Sequence, residues 1–316
     1  MILPIFLPNA GCKKRCVFCN QYSMTGEKMP SKKEILNTIQ KYSNFSIDEV
    51  AFYGGTFTGL SLEKQLEFLE LVKYLNVPIR ISTRPDEITE ENLGILKHYN
   101  VKTIEIGIQS MFNDVLDASN RGHTVKDNER SIRLLMERNF KVSAHLMIGL
   151  PKDSKEKSIL SLMKLLKLGV NIFRIHPTLI FKNTELEKMY ERKLYTPLTL
   201  KEALDISSEM LLLIYSNNAN VIRMGYFVPE HSRNQIVAGP YHPSFGDMVK
   251  AKAIYKIITR LNIKKVHFPK KYESWFFSYG NKQLNVEKIR DNILLFDDMD
   301  LARASFYAFR KGQFNG

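Results

Sequence analysis

The sequence predicts an α/β protein, a partial, six-stranded β/α barrel with a smaller C-terminal α+β extension. Three observations lead there. Six apolar, β-branched runs recur with helix-patterned stretches between most of them, which implies a parallel sheet with helices outside it. Polar and glycine-rich motifs follow nearly every one of these runs, whereas an open dinucleotide-type sheet concentrates its chemistry at one switch point. After His176 the alternation gives way to a different pattern.

The strands are expected at Ile2–Leu7, Glu49–Tyr53, Ile79–Thr83, Thr103–Ile108, Lys141–Ile148 and Asn171–His176. Helical spacing of apolar residues marks Lys32–Tyr42, Leu62–Val72, Glu90–Lys97, Val125–Asn139 and Lys155–Leu168 between them. Beyond them come a long amphipathic helix (Thr199–Tyr215), a short strand near Asn220–Met224 and a turn-rich segment, Gly239–Gly246. A helix (Asp247–Leu261), a short strand (Lys265–Phe268) and a last helix (Met299–Phe309) complete the reading. No Gly/Ser/Pro linker, low-complexity tract or repeat interrupts the chain. Residues 1–195 are therefore expected to form the barrel and residues 196–316 an extension packed on it.

The 316 residues suffice for a substantial core, and 44% hydrophobic with 25% charged residues is ordinary for a globular protein. No apolar run is long enough to span a bilayer. The N-terminal MILPIFLP is apolar but lacks a basic leader and a small-residue cleavage site, so it reads as a first buried strand. A cytoplasmic protein without a membrane partner is expected. The formal charge is +13, and Lys250–Gly316 carries 14 Lys+Arg against 6 Asp+Glu, a net +8. Such an excess favours anionic partners, nucleic acid first, although a solvated lysine-rich surface gives the same count. All three cysteines fall within eight residues. An odd number in one short window builds no disulfide framework and points to a reducing compartment and a metal site.

The cysteines stand in GCKKRCVFC (11–19), spaced C-x-x-x-C-x-x-C. Three thiolates, Cys12, Cys16 and Cys19, can bind three irons of a [4Fe–4S] cluster and leave the fourth open. An open iron can chelate the amino and carboxylate groups of S-adenosylmethionine (SAM), and Phe18 would shield the cluster. Zinc is the alternative, but it prefers four ligands and the chain has no fourth cysteine.

The cysteine motif resembles that of the radical SAM superfamily. The remaining motifs resemble its elongator catalytic subunit-like subgroup, as a short bacterial relative lacking the acetyltransferase domain. They are AFYGGTFTGL (51–60), ISTRPD (81–86), IEIGIQS (104–110), NRGHT (120–124), HLMIGLP (145–151) and HPTLIFKNTEL (176–186), within a resemblance running from about Leu3 to about Gly246. It implies reductive cleavage of SAM to a 5′-deoxyadenosyl radical, an electron donor in the cytoplasm, and tRNA or another RNA as substrate. Gly54 and Gly55 would let backbone carbonyls approach the methionyl ammonium, or simply form a strand-to-helix turn. Many members carry an acidic residue where Thr56 stands, so its contact would be through backbone or hydroxyl. Ser82 and Arg84 are placed for the ribose or carboxylate of SAM, with a structural clamp as the other reading of Arg84. Gln109 and Ser110 flank the fourth strand's end. The resemblance implies that Gln109 and Arg121 help hold SAM, Arg121 by pairing its carboxylate; the plainer reading of Asn120-Arg121-Gly122 is a helix-entry turn.

Candidate catalytic residues are Glu105, His176 and Tyr241. Glu105 shares a strand face with Gln109, and a buried carboxylate needs a partner, such as a substrate amine. His145 reads as a hydrogen-bonded core residue, His176 as the better substrate-site candidate. Gly149-Leu150-Pro151 is read as a strand-exit turn shaping an adenine pocket. In GPYHPSFG (239–246), Tyr241 and His242 are candidates for substrate contact, against a rigid lid turn. KKVHFPKKYESWFFSYGNK (264–282) interleaves Lys264, Lys265, Lys270 and Lys271 with aromatics including Trp275. It suits phosphates and stacked bases, or a strand with an aromatic core side.

The resemblance has limits. The elongator subunit spaces its first two cluster cysteines more widely and carries an acetyltransferase domain, for which the tail shows no acetyl-coenzyme A segment. Two other functions compete with RNA modification. One is radical chemistry on a small molecule, like oxygen-independent coproporphyrinogen oxidase, although the tyrosine-rich entry expected around the cysteines is absent. The other is a non-catalytic zinc or iron–sulfur RNA-binding protein, against which the set of cofactor-side motifs speaks.

Overall fold

The computed structural model describes residues 1–42, 44–260, 262, 265–268, 273–277, 279 and 287–290. Its main sheet begins with β1 (Ile2–Leu7), β2 (Glu49–Gly54), β3 (Ile79–Thr83), β4 (Val101–Gln109), β5 (Lys141–Ile148) and β6 (Ile172–Pro177). A two-residue strand, β7 (Ile180–Phe181), lies elsewhere, and β8 (Asn220–Met224) completes the main sheet. The order is β1-β2-β3-β4-β5-β6-β8, and every neighbour pair is parallel. Pro4 and Phe6 of the first strand line the same cavity as Arg223 of the last, so the sheet curls into a partial barrel with two free edges.

Parallel neighbours need crossovers, and helices supply them. A short α1 (Gln21–Thr25) precedes α2 (Lys32–Lys41), and α3 (Leu62–Lys73) and α4 (Glu90–His98) follow. A short α5 (Asn113–Ala118) precedes α6 (Val125–Glu137) and α7 (Lys155–Lys167); α8 (Glu185–Glu191) and α9 (Leu200–Ser216) join β6 to β8. Each long crossover helix starts on a Ser or Thr whose hydroxyl accepts a first-turn N–H: Ser31, Ser61, Thr89, Thr124, Ser154 and Thr199. Strand alternation then sorts the side chains. Ile104, Ile106, Ala144, Leu146, Phe173 and Ile175 join the core formed with Leu69, Leu96, Leu135 and Leu165 of the helices. Burying each such Leu, Ile or Phe side chain is worth roughly 1.5–3 kcal/mol. The intervening Glu105, Gly107, His145, Met147, Arg174 and His176 face the lumen instead.

The sheet holds seven strands, one more than expected. Asn220–Met224 is a strand as read from the sequence, but it pairs in parallel with β6, from Ile172 opposite Asn220 to Ile175 opposite Met224. The apolar face of α9 must be buried, and crossing over the sheet to a new parallel edge accomplishes that. The sheet therefore continues past residue 195. β9 (Ile236–Ala238) pairs antiparallel with β7, and α10 (Phe245–Arg260) packs on α9. Further on, β10 (Lys265–Phe268), α11 (Glu273–Phe277) and β11 (Glu287–Arg290) are described, β10 pairing in parallel with β11.

Lys264, Lys270, Lys271, the side chain of Lys265 and the expected helix Met299–Phe309 lie outside the described residues. Trp275 is described: its indole donates to Asp247 Oδ1 at 3.0 Å, and the Lys250 ammonium lies 4.0 Å from its ring centroid. It packs partly buried against the core. Among the described residues no helix is long and apolar enough to cross a membrane.

Candidate functional site

The lumen holds a cavity of about 600 Å³. Its walls bring together Cys12, Cys16, Cys19, Gly54, Gly55, Thr56, Ser82, Arg84, Glu105, Gln109, Arg121 and His176, residues drawn from six separate motifs. Ser110 and Tyr241 do not line it.

The cysteine loop follows β1 and lies backbone to backbone against the segment after β2. Thr56 N–H donates to the Ala10 carbonyl at 2.7 Å, and Gly55 N–H to that of Leu7 at 2.9 Å. A Cβ on Gly55 would fall 2.1 Å from the Ala10 oxygen, and one on Gly11 2.2 Å from that of Thr56. These glycines thus serve the docking of the loop itself, and the Gly54 carbonyl already accepts from Gln21 Nε2 at 2.5 Å. On the docked loop, Cys12 Sγ lies 3.2 Å from Thr56 Oγ1, and Cys19 Sγ lies 3.7 Å from Asn9 Oδ1. Burial, then the nearby Cys16 and Cys12, pushes the Cys19 thiol up to about 12. Phe18 is buried beside it, with Cys16 and Cys19 packed against the same apolar cluster.

These residues fit a [4Fe–4S] cluster. Three cysteines line one cavity, and burial, with the neighbouring Cys16 and Cys12 adding to it, raises a proton affinity at Cys19 that bound iron would relieve. No three His, Cys, Asp or Glu side chains among the described residues are set to hold a single metal ion. A cluster asks for a wider triangle, because each thiolate takes a different iron.

Around the cysteines stand hydrogen-bonding groups with unused capacity. Arg121 donates from Nη1 to Cys16 Sγ at 2.9 Å and from Nη2 to the Gly107 carbonyl at 2.6 Å, while its buried Nε has no partner. Gly107 makes room for this, since a Cβ there would lie 3.1 Å from Gln109 Nε2 and 3.2 Å from Arg121 Nη2. Gln109 has φ +66°, a left-handed conformation rare outside glycine and asparagine, and its buried Oε1 is unpartnered. After this kink Ser110 N–H bonds back to the Ile108 carbonyl, and Ser110 turns out of the cavity into the protein. Arg84 is a clamp: it bonds both oxygens of Asp86 at 3.0 and 2.8 Å and also the Arg121 carbonyl. Only its Nη1 is left unpartnered.

Glu105 already has its partners. Its Oε1 accepts from Arg80 Nη1 at 2.8 Å and from Arg174 Nη2 at 3.0 Å, and Arg80 also pairs with Glu49. His176 is buried with both ring nitrogens unpartnered, its ring 4.3 Å from that of His145 and 4.4 Å from that of Tyr226. Burial, then the charges of Arg174 and Arg121, depresses His145 to about 3. His176 is likewise held well below the ordinary imidazole range by burial and then by His145. Both rings are therefore neutral and can each donate one N–H. His145 Nε2 has no partner, contrary to the hydrogen-bonded core role expected of it. Tyr241 instead joins the small cluster of Leu179, Phe181 and Val228, its hydroxyl 3.4 Å from the Val228 carbonyl. His242 caps its own turn by accepting from Ser244 N–H at 3.0 Å.

The sequence reading passed over Tyr53, Arg174, Arg223 and Tyr226, all of which line the cavity. One signal was available: Arg174 stands two residues before His176 on one strand, so both share a face.

The chain matches the model of the Radical SAM superfamily over residues 6–166 and that of the Radical_SAM C-terminal domain over residues 170–254. It is 30% identical over 210 residues to an uncharacterized protein of Methanocaldococcus jannaschii, covering 62% of this chain and 65% of the relative. It is 32% identical over 151 residues to the tRNA uridine(34) acetyltransferase of the same organism, covering 47% of this chain and 28% of the relative. The chain thus spans less than two thirds of these relatives. Among solved structures it resembles the fold of Methanocaldococcus infernus Elp3 lacking its N-terminus, with TM-score 0.63 and 20% identity, over 86% of this chain and 67% of that one.

Proposed function

The chain belongs to the radical SAM superfamily of enzymes and is elongator-like within it, and from that premise we propose that it modifies tRNA by radical chemistry at a [4Fe–4S] cluster held by Cys12, Cys16 and Cys19. The observation that carries this reading is convergence: three sulfurs, the kinked Gln109 and the Arg121 guanidinium meet in one cavity at the C-terminal ends of parallel strands. When bound, the cluster supplies one electron from an external donor to the sulfonium of SAM, giving methionine and a 5′-deoxyadenosyl radical. Arg121 steadies the Cys16 sulfur and offers its unpartnered Nε to the carboxylate of SAM. Gln109 Oε1 and the Arg84 Nη1 donor supply further unpaired groups toward the cofactor. Phe18, Met147 and Tyr226 give the chamber an apolar wall that keeps water from a reactive radical.

RNA as substrate is supported by the tRNA-directed name of the 32% identical relative and by the net +8 of Lys250–Gly316. The test is mass spectrometry of modified nucleosides in total tRNA from cells with and without the protein. Loss of a modified nucleoside together with the protein is the expected result. An unchanged inventory would overturn the RNA reading and move radical chemistry on a small molecule to first place.

A further inference from the structure

Arg174 and Arg223 are register partners on the adjacent strands β6 and β8, and both line the cavity. Arg174 is fixed: it bonds Glu105, and its guanidinium carbon lies 5.2 Å from the Tyr53 ring centroid. Its Nε is nonetheless buried without a partner. The Arg223 side chain has no hydrogen bond or ion pair to the described residues. The ion-pair group around the pair sets three guanidiniums, Arg80, Arg174 and Arg223, against two carboxylates, Glu49 and Glu105, and Arg84 and Arg121 add further positive charge to the cavity wall. Both carboxylates are already committed to Arg80 or Arg174. Arg223 is exposed, so its guanidinium is free to meet a ligand, and desolvation, then the charge of Arg174, lowers its pKa.

We propose that Arg174 and Arg223 form an oxyanion subsite that binds a terminal carboxylate or phosphate of the substrate, with the neutral imidazoles of His145 and His176 as further donors. This rests on the reading of the cavity as the reaction chamber. Arg174 lies two strand positions before His176, about 7 Å further from the strands' C-terminal ends, and so away from the cysteine loop. The pair serves the substrate, while Arg121 beside Cys16 serves SAM. Arg223 stands on the edge strand and also lines a neighbouring cavity of about 330 Å³ against α9 and α10, so its side chain stands between the two cavities. Two guanidinium forks on adjacent strands suit planar or tetrahedral oxyanions through paired N–H donors.

The test is calorimetric titration of the iron-loaded protein with sodium phosphate and, separately, sodium malonate, at ionic strength matched with sodium chloride. Arg223→Gln and Arg223→Lys serve as variants, because Arg223 holds no other described residue in place. Binding is expected to weaken about tenfold or more in Arg223→Gln, the loss of one charge-assisted hydrogen bond, and less in Arg223→Lys. Arg223-dependent binding of phosphate alone identifies a phosphate group, of malonate alone a carboxylate, and either supports the subsite. Anion binding that Arg223→Gln leaves unchanged overturns it, as does a matching loss of SAM affinity, which would assign Arg223 to the cofactor. Cleavage of SAM by the same preparations, scored in parallel, reports separately on the radical reading.

Discussion

Arg121 donates a hydrogen bond from Nη1 to the sulfur of Cys16 across 2.9 Å, from a position 105 residues further along the chain. Its other terminal nitrogen holds the Gly107 carbonyl, so one planar fork joins the cysteine loop to the end of β4. Lysine carries its three donors on one nitrogen instead of a planar fork, so it cannot reproduce both contacts in this geometry. Arg121→Lys should retain the fold but lose about 1.5–3 kcal/mol of binding to a charged partner, read as weaker SAM affinity and slower 5′-deoxyadenosine release. Unchanged SAM affinity would confine Arg121 to a structural role.

Glu105 is held as a structural counter-ion between Arg80 and Arg174. Removing one partner of a buried pair typically costs about 3–5 kcal/mol, so Glu105→Ala is expected to lower the denaturant midpoint sharply. A variant of parental stability that fails only in turnover would restore Glu105 as a catalytic group.

The glycines after β2 can be told from ordinary ones. Gly55→Ala forces a Cβ to 2.1 Å from the Ala10 oxygen, and such overpacking costs roughly 1–3 kcal/mol or more. It should also displace the cysteine loop, seen as reduced iron content after reconstitution. Gly94 in α4 meets nothing within 4 Å, so Gly94→Ala should stabilise by roughly 0.5–1 kcal/mol. Equal effects from the two substitutions would contradict the docking role.

The buried histidines set a pH dependence. His145 titrates near 3 in the fold and about 6.5 in an unfolded chain. Between those values the unfolded state holds a proton that the folded state lacks. Stability therefore falls as pH drops through this window, by at most about 1.4 kcal/mol per unit for one histidine. His145→Asn should reduce the stability difference between pH 7 and pH 5, leaving a slope from His176, held low by burial, and from His123, depressed by burial and then by Arg121 to about 3. Identical slopes in parent and variant would show that His145 titrates normally.

The barrel was legible because its signals are local. Each strand is a short β-branched run, and each long crossover helix opens on a Ser or Thr cap. The cysteines and glycines were legible for the same reason, being contiguous motifs on strand-exit loops. Arg121 was found only through family resemblance, since nothing in its neighbourhood points to Cys16. The seventh strand was seen but misplaced, because pairing between β6 and β8 is a long-range choice that spacing does not encode. Glu105 illustrates the hardest case. Its need for a partner was clear, but only the assembled lumen shows that Arg80 and Arg174 fill it. The place of Tyr241 was not legible because the turn at 239–246 delivers its ring to Leu179 and Phe181, a contact that spacing does not encode.

The central claim is radical cleavage of SAM at a cluster on Cys12, Cys16 and Cys19. Its most direct test is anaerobic reconstitution with iron and sulfide, reduction, addition of SAM and chromatography of the products. The account predicts about four irons per chain and release of 5′-deoxyadenosine with methionine, both lost in Cys16→Ala. S-adenosylhomocysteine in their place, or no product from a fully loaded and reduced protein, would contradict it.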